Sequence, residues 1–136
     1  MSLKTWKKEF YPVSFKSPNT KLRAIKHSLK KWRGLTAENL KKHNVENSLM
    51  FPVIRDAKED FVINSGSCAL CNLYFLPLYG THRKECFECP LYSTLKKRKC
   101  DSWKQSPYRV WVDSKDPTPM IYALEKTLQN EIKTSR

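Results

Sequence analysis

Two Cys-x-x-Cys pairs place the strongest constraint on how this chain can fold. The pairs are Cys68 with Cys71 and Cys86 with Cys89. Fourteen residues separate them, a spacing just below the usual window for four-cysteine zinc sites. Two residues between thiols allow a tight turn that brings both sulfurs onto one tetrahedral ion. The sequence therefore predicts that the two pairs together hold one structural Zn²⁺ ion.

The residues around the pairs predict a treble-clef-like zinc module, in which a β-hairpin joins the pairs and a helix follows the second. Residues 73–79 are strand-like, although Pro77 weakens that strand. Residues 80–82 read as a turn, and Pro90 suits the first turn of a helix over 90–99.

The fifth thiol, Cys100, tests this arrangement. At a rise of 1.5 Å per residue, a continuous helix over 90–99 would carry Cys100 about 15 Å from Cys89 and out of reach of the metal. If Cys100 is a ligand, that helix must break and another cysteine must be left out. We therefore keep Cys100 as a possible substitute ligand.

Other uses of paired thiols remain open. An iron–sulfur cluster is less favoured, because the close C-x2-C-x2-C run of bacterial ferredoxins is absent. Disulfides or a redox pair are the remaining alternatives. We expect a cytoplasmic protein, since no secretory signal or membrane-length apolar run is recognisable, and there thiols bind metals more often than they form disulfides.

The charge of the chain predicts an acidic partner. The formal net charge is +13, and the first 42 residues hold twelve Lys or Arg against Glu9 and Glu38. Nucleic acid, DNA or RNA, is the commonest partner of such a basic protein, although a solvated Lys-rich face is the simpler alternative. The candidate phosphate contacts are Lys26, Lys30, Lys31, Arg33, Lys96, Lys97, Arg98 and Lys99.

The chain fits one α+β domain, residues 1–136, with short strands and flanking helices. We expect an irregular aromatic and basic arm over 1–18 and a basic helical pair over 19–43. The zinc module and a small sheet would occupy 61–112. A C-terminal helix would occupy 117–136 and complete the domain.

Local patterns place the individual elements. Apolar residues recur at spacings of three and four at Leu22, Ile25, Leu29 and Trp32. This stripe predicts a helix up to residue 33, followed by Gly34 as a C′ residue able to take the left-handed conformation. Thr36 would cap a second helix that ends near His43. Residues 61–64 and 108–112 read as strands.

No catalytic constellation is recognisable, so we predict that the protein is not an enzyme. His82 matches the His-Asn-His nucleases in one residue only, since residues 90–99 contain neither His nor Asn. We expect His43 at a helix C-terminus and His27 on the solvated face of the basic helix.

Several segments resemble a family of small Cys-rich proteins encoded by tailed bacteriophages. These segments are TWKKEFYPV, HSLKKWRGLTAENLKKH, CALC, CFECPLY, SPYRVW and PMIYALEKTL. The resemblance includes the fifth cysteine, which counts against Cys100 as a spare thiol. It implies a phage accessory protein acting in a bacterial host cytoplasm, and it suggests an alternative function: inhibiting or modulating a host polymerase, nuclease or defence factor.

Overall fold

The computed structural model of the chain describes residues 1–48, 51–64, 67–74, 89–96, 98, 100 and 105–134. Within these residues the chain forms seven helices and one three-stranded antiparallel sheet, so the predicted α+β class is confirmed. In chain order the elements are α1 (Leu3–Phe10), α2 (Lys21–Arg33), α3 (Ala37–Lys42), β1 (Glu46–Asn47), β2 (Val53–Arg55), β3 (Asp60–Val62), α4 (Ala69–Tyr74), α5 (Pro90–Thr94), α6 (Pro107–Ser114) and α7 (Thr118–Thr134).

Helices α2 and α7 form the centre of the fold, because each packs on several other elements. Helix α2 contacts α7, α4 and α1, and α7 also contacts α5 and α6. Both helices bury apolar side chains, among them Ile25, Leu29 and Leu124. Burying one such side chain contributes about 1.5–3 kcal/mol. The apolar stripe predicted for α2 and the predicted C-terminal helix are therefore confirmed.

The ends of α2 and α3 show how local sequence sets helix limits. The side chain of Thr20 accepts a hydrogen bond from the backbone N–H of Arg23 at 3.2 Å, and Thr36 caps α3 as predicted. Gly34 has a right-handed φ of −68°, so it does not use the left-handed conformation that was open to it. A Cβ at Gly34 would lie 2.5 Å from Cγ of Phe10. Close packing, rather than backbone conformation, requires glycine here.

The first ten residues differ from the irregular arm that the sequence predicts, because residues 3–10 form helix α1. Ser2 and Thr5 make a capping box at its start. Trp6 is fully buried and donates Nε1–H to the carbonyl of Gly34 at 2.8 Å. The irregular arm, without helix or strand, is therefore limited to residues 11–19.

The small sheet follows α3, and its strands are in the order β1-β2-β3. The strand predicted at 61–64 corresponds to β3, in which Val62 pairs with Val53 of β2. The turn between β2 and β3 is organised by Asp56, whose Oδ1 accepts the backbone N–H groups of Lys58 and Glu59, both at 2.7 Å. Its Oδ2 accepts the N–H of Leu3 at 2.7 Å, which ties α1 to the sheet.

Three other predictions require correction. Residues 108–112 are helical within α6, where Ser106 is the N-cap and Pro107 follows in the first turn. The predicted strand over 73–79 begins with helical residues of α4, and its remainder lies outside the described residues. The helix predicted over 90–99 ends at Thr94, and Lys96 follows with a left-handed φ of 58°.

Candidate functional sites: a thiol cavity and a basic groove

Four of the five cysteines lie at or beside the beginnings of helices. Cys68 directly precedes α4, and Cys71 lies in its first turn. Cys89 is the N-cap of α5, and the carbonyl of Cys100 accepts the N–H of Tyr108 at 2.9 Å. These four are free cysteines, outside any disulfide. Cys86, the remaining predicted ligand, and the hairpin predicted before it lie outside the described residues.

A cavity of about 150 Å³ brings three of these thiols together. Cys68, Cys71 and Cys100 are part of its wall, and the rest comes from α2, α4, α5, α6 and α7 together with Ile63 and Asn64. The break after α5 has a direct consequence here. Because α5 ends before residue 96, Cys100 can lie in the wall of this thiol cavity. A continuous helix would have carried it too far away.

The thiols of Cys68 and Cys71 interact directly. The backbone N–H of Cys71 donates to Sγ of Cys68 at 3.4 Å. A hydrogen bond from the Cys71 thiol lowers the pKa of Cys68 against the effect of burial, and the nearby Lys31 ammonium lowers it further. The same hydrogen bond and burial raise the pKa of Cys71, as do the charges of Cys68, Cys100 and Cys89.

Lys31 is the residue of this site that sequence reasoning placed wrongly. Predicted as a phosphate contact, it is only 1% exposed and is part of the cavity wall. Its Nζ donates to the carbonyl of Ser67 at 2.9 Å. Burial lowers the pKa of Lys31, while the negative charge of the neighbouring cysteines in their thiolate form, Cys68 first, opposes that effect. Burying an ammonium group costs several kcal/mol unless a negative group lies nearby, and the thiolates supply one.

The remaining wall of the cavity is mostly apolar. Trp32, Leu70, Leu91, Met120 and Leu124 contribute to it. Trp32 is 4% exposed and therefore belongs to the core, as its place on the predicted apolar stripe indicates. Among the described residues, no group of three or more His, Cys, Asp or Glu side chains is close enough to share a single metal ion. The zinc ion stays a prediction.

A shallow groove of about 370 Å³ lies on another side of α2, against the arm. Arg23, Lys26 and Lys30 line it at spacings of three and four, so they share one side of the helix. The residues that line the groove include no carboxylate. None of the three cations forms an ion pair within the part of the chain that the structure describes. The groove is therefore a cationic concave surface.

The arm is held against α2 by His27, whose predicted place on a solvated face is wrong. His27 is 8% exposed, and its Nε2–H donates to the carbonyl of Val13 at 2.9 Å. Burial lowers the pKa of His27, and the charges of Lys31 and Lys30 also favour the neutral ring. The hydroxyl of Tyr11 accepts the N–H of Phe15 at 3.1 Å, which shapes the arm itself. The groove thus has two fixed walls.

The other predicted phosphate contacts are distributed differently. Arg33 is exposed and forms an ion pair with Glu125 of α7 at 2.9 Å. Lys96 and Arg98 are exposed. Lys97 and Lys99 lie outside the described residues. The geometry therefore groups Lys26 and Lys30, from the predicted set, with Arg23, which the prediction left out.

The second histidine that the structure describes, His43, links two helices. His43 is the C-cap of α3, as predicted, and is buried. Its Nε2 lies 2.7 Å from Oε1 of Glu9 and its Nδ1 lies 2.9 Å from Oγ1 of Thr5, so it links α3 to α1. His82 lies outside the described residues.

Helix α7, at 17 residues, is the longest helix of the described part of the chain, and no helix there combines the length and hydropathy that a membrane crossing needs. In comparisons with known proteins, no protein-family model matches the chain, and neither a curated protein nor a solved structure matches it.

Proposed function

We propose that the protein binds nucleic acid, without catalysing a reaction, through the basic groove between α2 and the arm. The observation that carries the proposal is the alignment of Arg23, Lys26 and Lys30 along one concave surface whose lining includes no carboxylate. Cations that meet phosphates release condensed counterions, so each contact adds affinity that does not depend on base sequence. The groove therefore suits the backbone rather than the bases.

The spacing of the cations supports this proposal. Side chains three and four residues apart on a helix have Cβ atoms about 5–6 Å apart. Neighbouring cations can thus contact successive phosphates of one strand. The long side chains of Lys26 and Lys30 are exposed, so they can follow a flexible backbone. The thiol cavity then has a structural role, because it fixes the opposite side of α2.

The proposal is tested by binding to labelled single-stranded DNA, duplex DNA and RNA over a series of salt concentrations, followed by fluorescence anisotropy. The Lys26→Gln/Lys30→Gln variant removes two of the three cations. We expect it to reduce the slope of log affinity against log salt by about two, because each lost phosphate contact removes roughly one unit. All three probes should weaken together, while their order of preference shows which nucleic acid is bound.

A matched variant controls for net charge. Lys126→Gln/Lys133→Gln removes two exposed lysines of α7 and lowers the total charge by the same amount. It should leave the salt slope close to that of the unaltered protein. If both double variants lower the slope equally, the binding is diffuse and the groove is not the site. If the unaltered protein binds none of the probes at low salt, the proposal is wrong.

The alternative, binding to a host protein, calls for a contiguous exposed apolar patch. Large apolar side chains that are at least 40% exposed among the described residues are Met1, Val13, Phe51, Val62, Tyr122 and Ile132. They come from the chain start, the arm, the sheet region and α7. A docking patch for a host protein would have to be assembled from these separate segments. The treble-clef module and its phage context remain predictions from the sequence.

A further inference from the structure

The cations on α2 explain how the basic groove suits a phosphate backbone, but they form only one of its two walls. The other wall belongs to the arm, residues 11–19, and three of its four lining residues are apolar: Pro12, Val13 and Pro18. Pro12 is exposed, and Val13 is 48% exposed. Charged phosphates gain nothing from an apolar surface, because burial removes their water without replacing it. An occupant that fills the groove therefore needs an apolar side as well as an anionic one.

The apolar wall is held in place before any partner binds. Its backbone is fixed at Val13, whose carbonyl accepts the Nε2–H of His27 at 2.9 Å. The ring of Tyr11 packs edge-on against the ring of His27, with centroids 4.9 Å apart. The N–H of Ser17 donates to the carbonyl of Ser14 at 2.9 Å, and the proline rings restrict φ. A preformed surface loses little conformational entropy on binding, so its exposed side chains are available for contact.

Single-stranded and duplex nucleic acids differ in what they could place on this wall. In a duplex the bases are stacked inside, so a groove that binds the backbone meets phosphates and sugars. Proteins that reach duplex bases with apolar side chains insert them as projecting wedges, whereas Val13 and the prolines line a concave surface. In a single strand the faces of the bases are exposed, and burying them against a protein surface stabilises the complex. The groove volume of about 370 Å³ lies within the range of roughly 300–1,000 Å³ for sites of small organic ligands, so a base-sized group fits.

We propose that the basic groove binds single-stranded nucleic acid, with the backbone along α2 and unpaired bases against the arm. Lys26 and Lys30 contact the phosphates, and Val13 contacts the face of a base. This inference rests on the proposed function and narrows its substrate class. Because apolar contact with the face of a base reads no hydrogen-bonding groups, the binding does not depend on base sequence. The same chemistry serves single-stranded DNA and RNA, since both present phosphates and unpaired bases.

The first experiment compares three labelled probes by fluorescence anisotropy over a series of salt concentrations. They are a single strand of about twelve nucleotides, the same strand paired with its complement, and an abasic strand of the same length. The strand and the duplex are each made as DNA and as RNA. A purely electrostatic groove prefers the duplex, because its charge is denser. We expect the full chain instead to bind the single strand at least about tenfold more tightly than the duplex or the abasic strand.

The second experiment locates the base contact with a matched pair of variants, Val13→Ser and Val62→Ser. Val62, on β3, is 44% exposed and does not line the groove. We expect Val13→Ser to weaken single-strand binding about four- to fifteenfold, the loss expected for one or two buried methyl groups, without changing the salt slope. Val62→Ser should bind like the unaltered protein. Helical circular dichroism checks the fold of both variants.

The outcomes separate this inference from the proposed function. Equal or tighter binding of the duplex, or equal binding of the abasic strand, would overturn the single-strand inference and leave nucleic-acid binding intact. Equal affinities of the two valine variants for the single strand would overturn it as well. Absence of binding to every probe at low salt would overturn both.

Discussion

Lys30 and Lys31 are neighbours in the sequence, but they differ completely in solvent exposure. Lys30 is exposed and lines the basic groove beside the arm. Lys31 is 1% exposed and faces the thiol cavity. One residue along a helix changes the direction of a side chain by about 100°, which separates the two surfaces. The comparison shows that a basic stretch of sequence gives the number of charges but not which of them are exposed to a partner.

The largest expected loss of stability follows from a change at the buried member of this pair, Lys31. Lys31→Glu places a carboxylate among buried thiols and removes the ammonium that offsets them. We expect it to lower the free energy of unfolding by about 3–5 kcal/mol, the usual cost of an uncompensated buried charge. Urea unfolding, followed by tryptophan fluorescence, measures the change.

Lys30→Glu is the matched control, with the same change of charge one residue away. At an exposed position we expect less than about 0.5 kcal/mol of change in stability, together with weaker nucleic-acid binding. Equal losses of stability in both variants would mean that the two lysines share one environment, contrary to the structure.

A smaller loss of stability is expected from a change at Gly34, where the end of α2 packs against α1. Gly34→Ala brings a Cβ within 2.5 Å of the Phe10 ring. We expect overpacking to cost about 1–3 kcal/mol, measured by thermal or urea unfolding. In a Phe10→Ala background the same substitution should cost much less, because the clashing ring is gone. An unchanged cost would show that the contact with Phe10 is not the cause.

The smallest effect concerns Asp56, which ties α1 to the sheet. Hydrogen bonds from the N–H groups of Leu3, Lys58 and Glu59 lower the pKa of Asp56 below its usual value. Its contribution to stability is therefore present above about pH 4 and is lost as the pH falls through the lowered pKa. Unfolding midpoints between pH 6 and pH 3 should fall less steeply for Asp56→Asn. Parallel curves for both proteins would contradict this role.

Elements with strong local signals are predictable from the sequence. Helices α2, α3 and α7 follow from periodic apolar residues and, for the first two, from the caps Thr20 and Thr36. Helix α1 had a comparable signal, with Leu3, Trp6 and Phe10 on one side, but the prolines that follow favoured an irregular arm. Helix α6 shows the reverse error: its alternating apolar residues suggest a strand, although Ser106 and Pro107 are a typical helix start.

The sites were less predictable because they depend on contacts between distant residues. The thiols were identified from their spacing, yet the place of Cys100 follows from where α5 ends, and that end has no strong sequence signal. Lys31 lies three residues after Ser28 and seven after Ala24, so it falls on the buried stripe of α2. Because lysine is charged, an exposed position was expected for Lys31. Its burial is explained by the packing of α2 against the thiol cavity.

The two surfaces of α2 also bear on how this chain can vary. Of its thirteen residues, seven are buried, three more line the groove, and Lys21 and Arg33 form ion pairs with α7. Almost every side chain of the helix is thus buried, lines the groove or forms an ion pair. In a library of randomly substituted chains selected to keep both surfaces, α2 would tolerate the fewest replacements, and the exposed residues of α7 would vary far more freely.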